Sequence, residues 1–499
     1  MGCCTDRDDG PKRVVGEGGA GFCCTDILFA VLFVANLVPI FYLFYEFQSD
    51  TDIGAHLNST FARITSEELD DDIYLGLRAG GYGGLGAIAF VIIWIVLCRY
   101  MPTLLILLAQ LLAILSCLVG AFVFIVYYEA LEMTSTHGYM AGGLLLLLAV
   151  IVGLYLICIR KRIAFTAVIL GSVAKVLMRT PELFLIKLVM GVIVLLYACI
   201  WAGSYLELMA QIDEYSFDNE SQAYGYWALG NLYALLSLFW VQFTLLNVAF
   251  VTVCATVGAW YFSPGTFGRG CFCCRKPVWW GLLRALTCSF GSIAFGSLIL
   301  ALMRTIIVAC QYLADKAQKS GGQVAALVCC CFICCLQCLE KCLTWLTEYA
   351  FVYVAVYGTG FCHSGLKVGA LLAESGAQAI IQQTLLTPLM WMAGGLGLAT
   401  GCLCGWGAHV EVGHEGLSDE ARQVQLAIAI VCGGVVGYLV MALGTSTVEA
   451  GCKTLFVCFA EEPTALRDLA PELYATFSEA KPIKSKGTDK DKTDPLIAP

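Results

Sequence analysis

Cys331, Cys334, Cys335, Cys338 and Cys342 recur at three- and four-residue spacing, which places their thiols along one face of a helix. Paired C-x-x-C spacings invite zinc. A tetrahedral centre, however, needs ligands converging from separate turns; here the flanks are apolar and no histidine lies near. S-acylation at a cytosolic interface, or plain apolar packing, fits these thiols better, and Cys271, Cys273 and Cys274 read the same way. The five histidines (His56, His137, His363, His409 and His414) form no metal-spaced pair with a suitable third ligand, and no Gly-Lys-Ser/Thr phosphate loop is present. The expectation is no metal, no cofactor and no enzymatic activity, with ATP-driven work disfavoured. Three charges in apolar surroundings remain: Glu207, Arg304 and Glu449. An ionisable side chain in hydrocarbon is costly and tends to face a cavity. Glu449 lies near one end of its stretch and could also reach solvent, whereas Arg304 reads as a snorkelling or structural charge.

The elements that must position these groups follow from composition. Apolar residues make up 59% of the chain and charged residues only 13%, outside soluble usage, so lipid and not water is the main solvent. The net charge of −9 sums loops facing different compartments and so points to no nucleic acid or acidic substrate. Nearly uncharged stretches long enough to cross a hydrocarbon core of roughly 30 Å, which takes about 20 helical residues, recur along the chain. They run from Ile27 to Tyr45, Gly80 to Cys98, Thr103 to Tyr127, Tyr139 to Ile159, Leu183 to Leu206, Trp227 to Phe262, Leu385 to Trp406 and Leu426 to Thr447. Helices are required, because a lone strand would leave backbone groups unpaired in lipid. The first stretch is too long for a secretory signal, and Asp6, Asp8, Asp9 and Asp26 dilute its basic flank.

Basic residues orient the chain. With a cytosolic N-terminus, alternating crossings put Arg99, the run Arg160 to Arg162, Lys175, Arg179, Arg269, Arg275, Lys276 and Arg284 in the cytosol, and a tail containing Lys453, Arg467 and Lys481 joins them. The sequons at Asn58 and Asn219 fall in loops assigned to the outside, and none of the 27 cysteines does, so glycosylation is expected and a structural disulfide is not. Between Phe262 and Leu385 parity allows zero or two further crossings. Two give an all-α polytopic bundle of about ten transmembrane helices with both termini cytosolic; interfacial amphipathic helices are the alternative. The charge-free run from Gln222 to Gly268 exceeds one span and suggests a tilted or broken helix, interrupted at Gly230, Gln242, Asn247 or Gly258, or else a long helix ending on the interface. Gly80, Gly81, Gly83, Gly84 and Gly86, and the series Gly397, Gly401, Gly405, predict close helix packing.

The segment Cys334 to Ser364 resembles the choline transporter-like family in its C-L-E-K-C core (Cys338, Leu339, Glu340, Lys341, Cys342) and in its F-C-x-S ending (Phe361, Cys362, Ser364). It is joined by Met1-Gly2-Cys3-Cys4, by Cys24-Thr25-Asp26, by the basic run at Arg160 followed by an amphipathic stretch to about residue 182, by Gly291 to Arg304, and by Glu449 followed by Leu455 to Ala460. The first outer loop, Glu46 to Ala79, is short and lacks cysteine, whereas animal members carry a large one, which marks a divergent member. The resemblance divides the chain into a cytosolic segment (1–26), a transmembrane transporter domain (27–460) containing a Cys-rich segment (329–342), and a cytosolic tail (461–499) whose end, from Lys481, is expected to be disordered.

The resemblance implies sodium-independent transport of choline, or of ethanolamine, by facilitation or exchange, feeding phospholipid synthesis at the plasma membrane or an organelle membrane. Another organic cation, or a non-transporting scaffold or lipid-handling role, is the alternative. A quaternary ammonium donates no hydrogen bond, so its recognition relies on aromatic faces with a carboxylate or carbonyl nearby. Trp201, Tyr205, Tyr233, Trp240, Phe243, Trp391 and Tyr438 are the candidate aromatics. Trp201, Tyr205, Trp240, Phe243 and Glu449 are taken as the substrate-binding set, and Gly2, Cys3 and Cys4 as lipidation sites, although Asp6 departs from the usual acylation pattern.

Overall fold

The computed structural model describes residues 25–49, 67–128, 135–214, 220–262, 276–319, 323–411, 419–469 and 474–475. The lipidation positions Gly2, Cys3 and Cys4, the sequon residues Asn58 and Asn219, Cys271 to Cys274 and the tail from Lys481 lie outside them. The described chain is helical: α1 (Ile27–Ser49), α2 (Glu67–Tyr100), α3 (Pro102–Val126), α4 (Ser135–Ile159), a single 3-10 turn (Arg160–Arg162), α5 (Ile163–Arg179), α6 (Glu182–Glu214), α7 (Glu220–Phe262), α8 (Lys276–Leu286), α9 (Phe290–Lys319), α10 (Gln323–Tyr357), α11 (Phe361–Glu411), α12 (Asp419–Glu461) and α13 (Pro463–Leu469).

Ten of these helices are long and apolar enough to cross a membrane. Eight contain, to within a residue, the stretches read from the sequence; α9 and α10 add two candidate spans between Phe262 and Leu385. The chain is an integral membrane protein, and its surface says so: Leu104, Leu111 and Leu115 on α3 and Leu144, Leu147 and Leu154 on α4 point outward, while small residues such as Ala109, Ala121, Gly142 and Ala149 are buried. In lipid the large apolar side chains can face the solvent, and the close contacts fall to small residues.

The chain forms two compact units, one from residues 1–71 and 181–369, the other from 72–180 and 370–499. In the first, α1 packs on α6 and α9, and α7 on α6, α9 and α10. Its core is aromatic: Phe33, Tyr197 and Trp240 are buried, with Phe29, Trp201, Tyr233, Phe239 and Phe243 packed against them. The short α8 is amphipathic, with Val278 and Ala285 buried and Gly281 against Ala255 of α7, while Trp279, Trp280, Leu283 and Leu286 are exposed. In the second unit, α5 lies against α12 and α3 and buries all but a few residues, among them Lys175, Met178 and Arg179. α2, α11 and α12 meet there through glycine. A methyl group on Gly401 or Gly437 would overlap backbone of the facing helix, and Gly405 lies as close to Ala429. Gly397 accommodates Met441, and Gly83 meets Gly433. The predicted packing role holds for these glycines, whereas Gly81 meets no neighbour within 4 Å.

Three sequence expectations change. The stretch after Gln222 is not broken: α7 runs without interruption from Glu220 to Phe262. Its supposed breakers contact neighbouring helices instead, Gly230 taking Ile212 and Leu208 of α6, Gly258 taking Val356 of α10, and Asn247 Nδ2 donating to Ser297 Oγ at 2.9 Å. Lys453 belongs to α12, not to the tail, and is 2% exposed. Third, the Cys-rich stretch cannot share a membrane face with Thr25 and Asp26. The Tyr357 end of α10 meets the start of α1, as described below, and Cys338 lies 19 residues away from it, about 28 Å at 1.5 Å per residue. That is about the thickness of the hydrocarbon core, so S-acylation on the Asp26 side does not fit those thiols. Most of them are exposed.

The main irregularity lies inside α11, a helix of 51 residues that contains Pro388. Proline supplies no N–H to the carbonyl four residues back, here that of Thr384. Gln110 of α3, 3% exposed, supplies the missing donor: its Nε2 lies 3.3 Å from both Thr384 O and Leu385 O. A buried glutamine in an apolar helix is thus explained by a proline in another.

An aromatic groove beside a buried ion pair: the candidate functional site

The antiparallel pairing of α11 and α12 within the second unit brings two helical stripes together. Along α12, Tyr438, Ala442, Thr445 and Glu449 follow one another at three- and four-residue spacing; along α11, Gln383, Thr387, Trp391 and Gly394 do the same. Met390, Trp391, Gly394, Tyr438, Ala442 and Thr445 line a groove of about 140 Å³. Gly394 makes room for the Tyr438 ring, which a methyl group there would touch at 3.1 Å. The indole of Trp391 is open, 72% exposed. Thr445 spends its hydroxyl on the backbone carbonyls of Met441 and Ala442, so the walls are apolar and aromatic.

One turn beyond Thr445 stands Glu449. Its Oε1 accepts from Gln383 Nε2 at 2.9 Å and from Lys453 Nζ at 2.8 Å. Lys453 is buried while the Glu449 side chain is 24% exposed, so the carboxylate compensates a cation that water cannot reach. Gln382, beside Gln383, donates to Cys452 O at 3.1 Å and ties the two helices together at this level. Sequence reading found Glu449 but missed its partners; the E-x-x-x-K spacing of Glu449 and Lys453 on one helix was the available signal.

The four aromatics of the expected substrate set all lie in the first unit, and all four have structural partners. Trp201 donates from Nε1 to Ala234 O at 2.8 Å and stacks on Tyr205, ring centroids 5.3 Å apart. Tyr205 donates to Asn231 Oδ1 at 2.8 Å. Trp240, buried, donates to Ala294 O at 2.9 Å and meets Phe33 edge to face. Phe243 stacks on Phe239. Trp391 and Tyr438, named among the aromatics but left out of that set, both border the α11–α12 groove. Helical periodicity says which residues share a face, not which face is open.

The motif residues gather at two places in the first unit. Glu340 pairs with Arg304 of α9 at 3.2 Å, so the two charges that interrupt their apolar runs neutralise each other. Cys338, Leu339, Lys341 and Cys342 on the same helix are exposed. The other gathering point is Asp26. Its Oδ2 accepts from Ser292 Oγ at 2.6 Å and from the backbone N–H of Phe361 at 3.0 Å, while its own carbonyl accepts from Phe29 N. Thr25 N donates to Cys288 O at 3.0 Å. Gly291 is needed because a methyl group there would overlap the carbonyl oxygens of Thr25 and Asp26. Gly358, at φ 67°, ends α10, and Ser364 closes the turn with its Oγ 2.7 Å from Thr359 Oγ1. One carboxylate therefore serves the starts of α1, α9 and α11, where helix dipoles favour negative charge. Cys362 is exposed and takes no part.

Among the described residues no group of histidine, cysteine or acid side chains could hold a metal ion. The family profile described as "Plasma-membrane choline transporter" matches residues 143–464, more than half of the chain and both of these motif clusters except Thr25 and Asp26. The chain belongs to the choline transporter-like family. Its relatives include a CTL-like protein of Dictyostelium discoideum, 26% identical over 337 residues covering 68% of this chain and 56% of that protein. Protein PNS1 of Gibberella zeae is 24% identical over 319 residues, 63% of this chain and 57% of its own length. A second Dictyostelium CTL-like protein is 24% identical over 387 residues, 74% and 68% respectively. The matched region thus spans a little under three fifths of the first two relatives.

Proposed function

We propose that this choline transporter-like protein carries choline, or a closely similar small organic cation, across its membrane, and that the α11–α12 groove takes part in binding it. The observation that supports the reading is the open Trp391 face and the Tyr438 ring bordering one groove, with a carboxylate one turn beyond its end. A quaternary ammonium has no N–H to satisfy, so apolar walls cost it little and aromatic faces attract it by about 0.5–2 kcal/mol each when desolvated. Lys453 moderates the arrangement. Because it neutralises Glu449, the groove is not a deep electrostatic well, and a bound cation can leave as well as arrive. Membership of a transporter family and ten apolar helices agree with passage across a bilayer. Transport independent of sodium, by facilitation or exchange and at the plasma membrane, is the form of the proposal to test first.

Uptake of labelled choline into a choline-poor host expressing the full chain is the measurement. Trp391→Ala should lower kcat/KM between about threefold and thirtyfold, the span of one cation–π contact. Trp201→Phe, which removes a packing hydrogen bond, should leave KM unchanged. Equal uptake with and without the protein rejects choline. Competition by ethanolamine stronger than by choline would assign the primary amine instead.

A further inference from the structure

A second carboxylate belongs to the first unit. Glu207 of α6 is 5% exposed; its Oε1 accepts from Gln211 Nε2 at 2.9 Å, and its Oε2 is buried with no hydrogen-bond partner. A buried carboxylate oxygen without a partner is costly, and a cation relieves it. The surroundings favour a particular kind of cation. Gly203, one turn earlier on the same face, is where a methyl group would stand 3.1 Å from the Phe44 ring and 3.3 Å from that of Phe47. The two rings of α1 are near parallel, centroids 6.4 Å apart, and Ser204 Oγ fixes the register by donating to Ile40 O at 2.7 Å. A metal ion would require several oxygen ligands converging on it, and no such group occurs among the described residues. Aromatic rings with one unengaged carboxylate oxygen suit an ammonium that carries alkyl groups in place of N–H donors.

We infer that Glu207, with Phe44 and Phe47, forms a second site for an alkylammonium cation at the Ser49 end of α1, independent of the α11–α12 groove. The inference rests on reading the chain as a carrier of organic cations, and its test separates the two. Tetramethylammonium is titrated against the purified full-length protein by thermal shift, and labelling of Glu207 by a membrane-permeant carbodiimide is followed by peptide mass spectrometry. Tetramethylammonium should slow labelling in the wild type and equally in Trp391→Ala, whereas sodium at the same ionic strength should not. Glu207→Gln, which keeps the shape and the Gln211 partner, should weaken tetramethylammonium binding about tenfold, and Phe44→Leu or Phe47→Leu about threefold. Tetramethylammonium binding unchanged in Glu207→Gln, or labelling slowed as much by sodium, overturns the site. Protection at Glu207 alongside unaltered choline uptake in Trp391→Ala would discard the groove and keep this site; the converse pattern would do the reverse.

Discussion

The two units of this protein hold their helices together by opposite means. In the first, large rings fill the space between α1, α6, α7 and α9, and their polar edges are satisfied one at a time, as Trp240 is by Ala294 O and Tyr205 by Asn231. In the second, α2, α11 and α12 approach until glycine faces glycine at Gly401, Gly433 and Gly437, with no side chain between. Both strategies solve the problem that lipid offers no hydrophobic drive for helices to associate, one through contact area and the other through proximity. They differ in tolerance. A ring can tilt to absorb a neighbour's change, whereas backbone against backbone leaves nothing to give way.

That difference can be broken most sharply at Gly433. Gly433→Leu places a branched side chain where even a methyl group meets Gly401 and Gly405 backbone, and no folded, monodisperse protein should survive purification. Next comes Glu449→Gln, which removes the carboxylate facing the buried ammonium of Lys453 and should cost about 3–5 kcal/mol, read as a large fall in thermal midpoint. Glu449→Gln combined with Lys453→Met should recover most of it; if the double variant is as unstable as the single, the pair is not what holds that end of the groove. Gln110→Leu removes the donor to the carbonyl freed by Pro388 and should cost about 1 kcal/mol, with Pro388→Ala cancelling the loss in the double variant. The smallest effect is expected in the aromatic unit. Tyr205→Phe keeps the stack on Trp201, loses one hydrogen bond, and should change stability by about 0.5 kcal/mol. A Tyr205→Phe variant as damaged as Gly433→Leu would erase the contrast.

Much of the architecture was legible because hydrocarbon imposes length and apolarity on every span, so α1 to α4, α6 and α12 announce themselves. The spacing of Gly397, Gly401 and Gly405 likewise carried its meaning openly. What could not be read were pairings across helices. Gln110 looks like an anomaly until Pro388 is placed beside it, and Arg304 looks like an unsupported charge until Glu340 is. The same blindness affected the site. Trp201 and Trp240 have the composition of a cation cage, yet their N–H groups are spent on backbone carbonyls of α7 and α9 respectively, while the exposure of Trp391 depends on which way α11 is turned. Asp26, by contrast, stood in the motif from the outset, and only its partners, 266 and 335 residues away, were hidden.

Those separations set a timetable. During synthesis Asp26 emerges first, but the N–H of Phe361 that it serves appears 335 residues later, after roughly 17–67 s at ribosomal speeds of 5–20 residues per second. The apolar helices α2 to α4, which belong to the other unit, are made during that wait. The Asp26 end of α1 is therefore fastened later than its contacts with α6, and a nascent chain halted before Phe361 would present quality-control machinery with an acidic side chain still lacking its backbone donor.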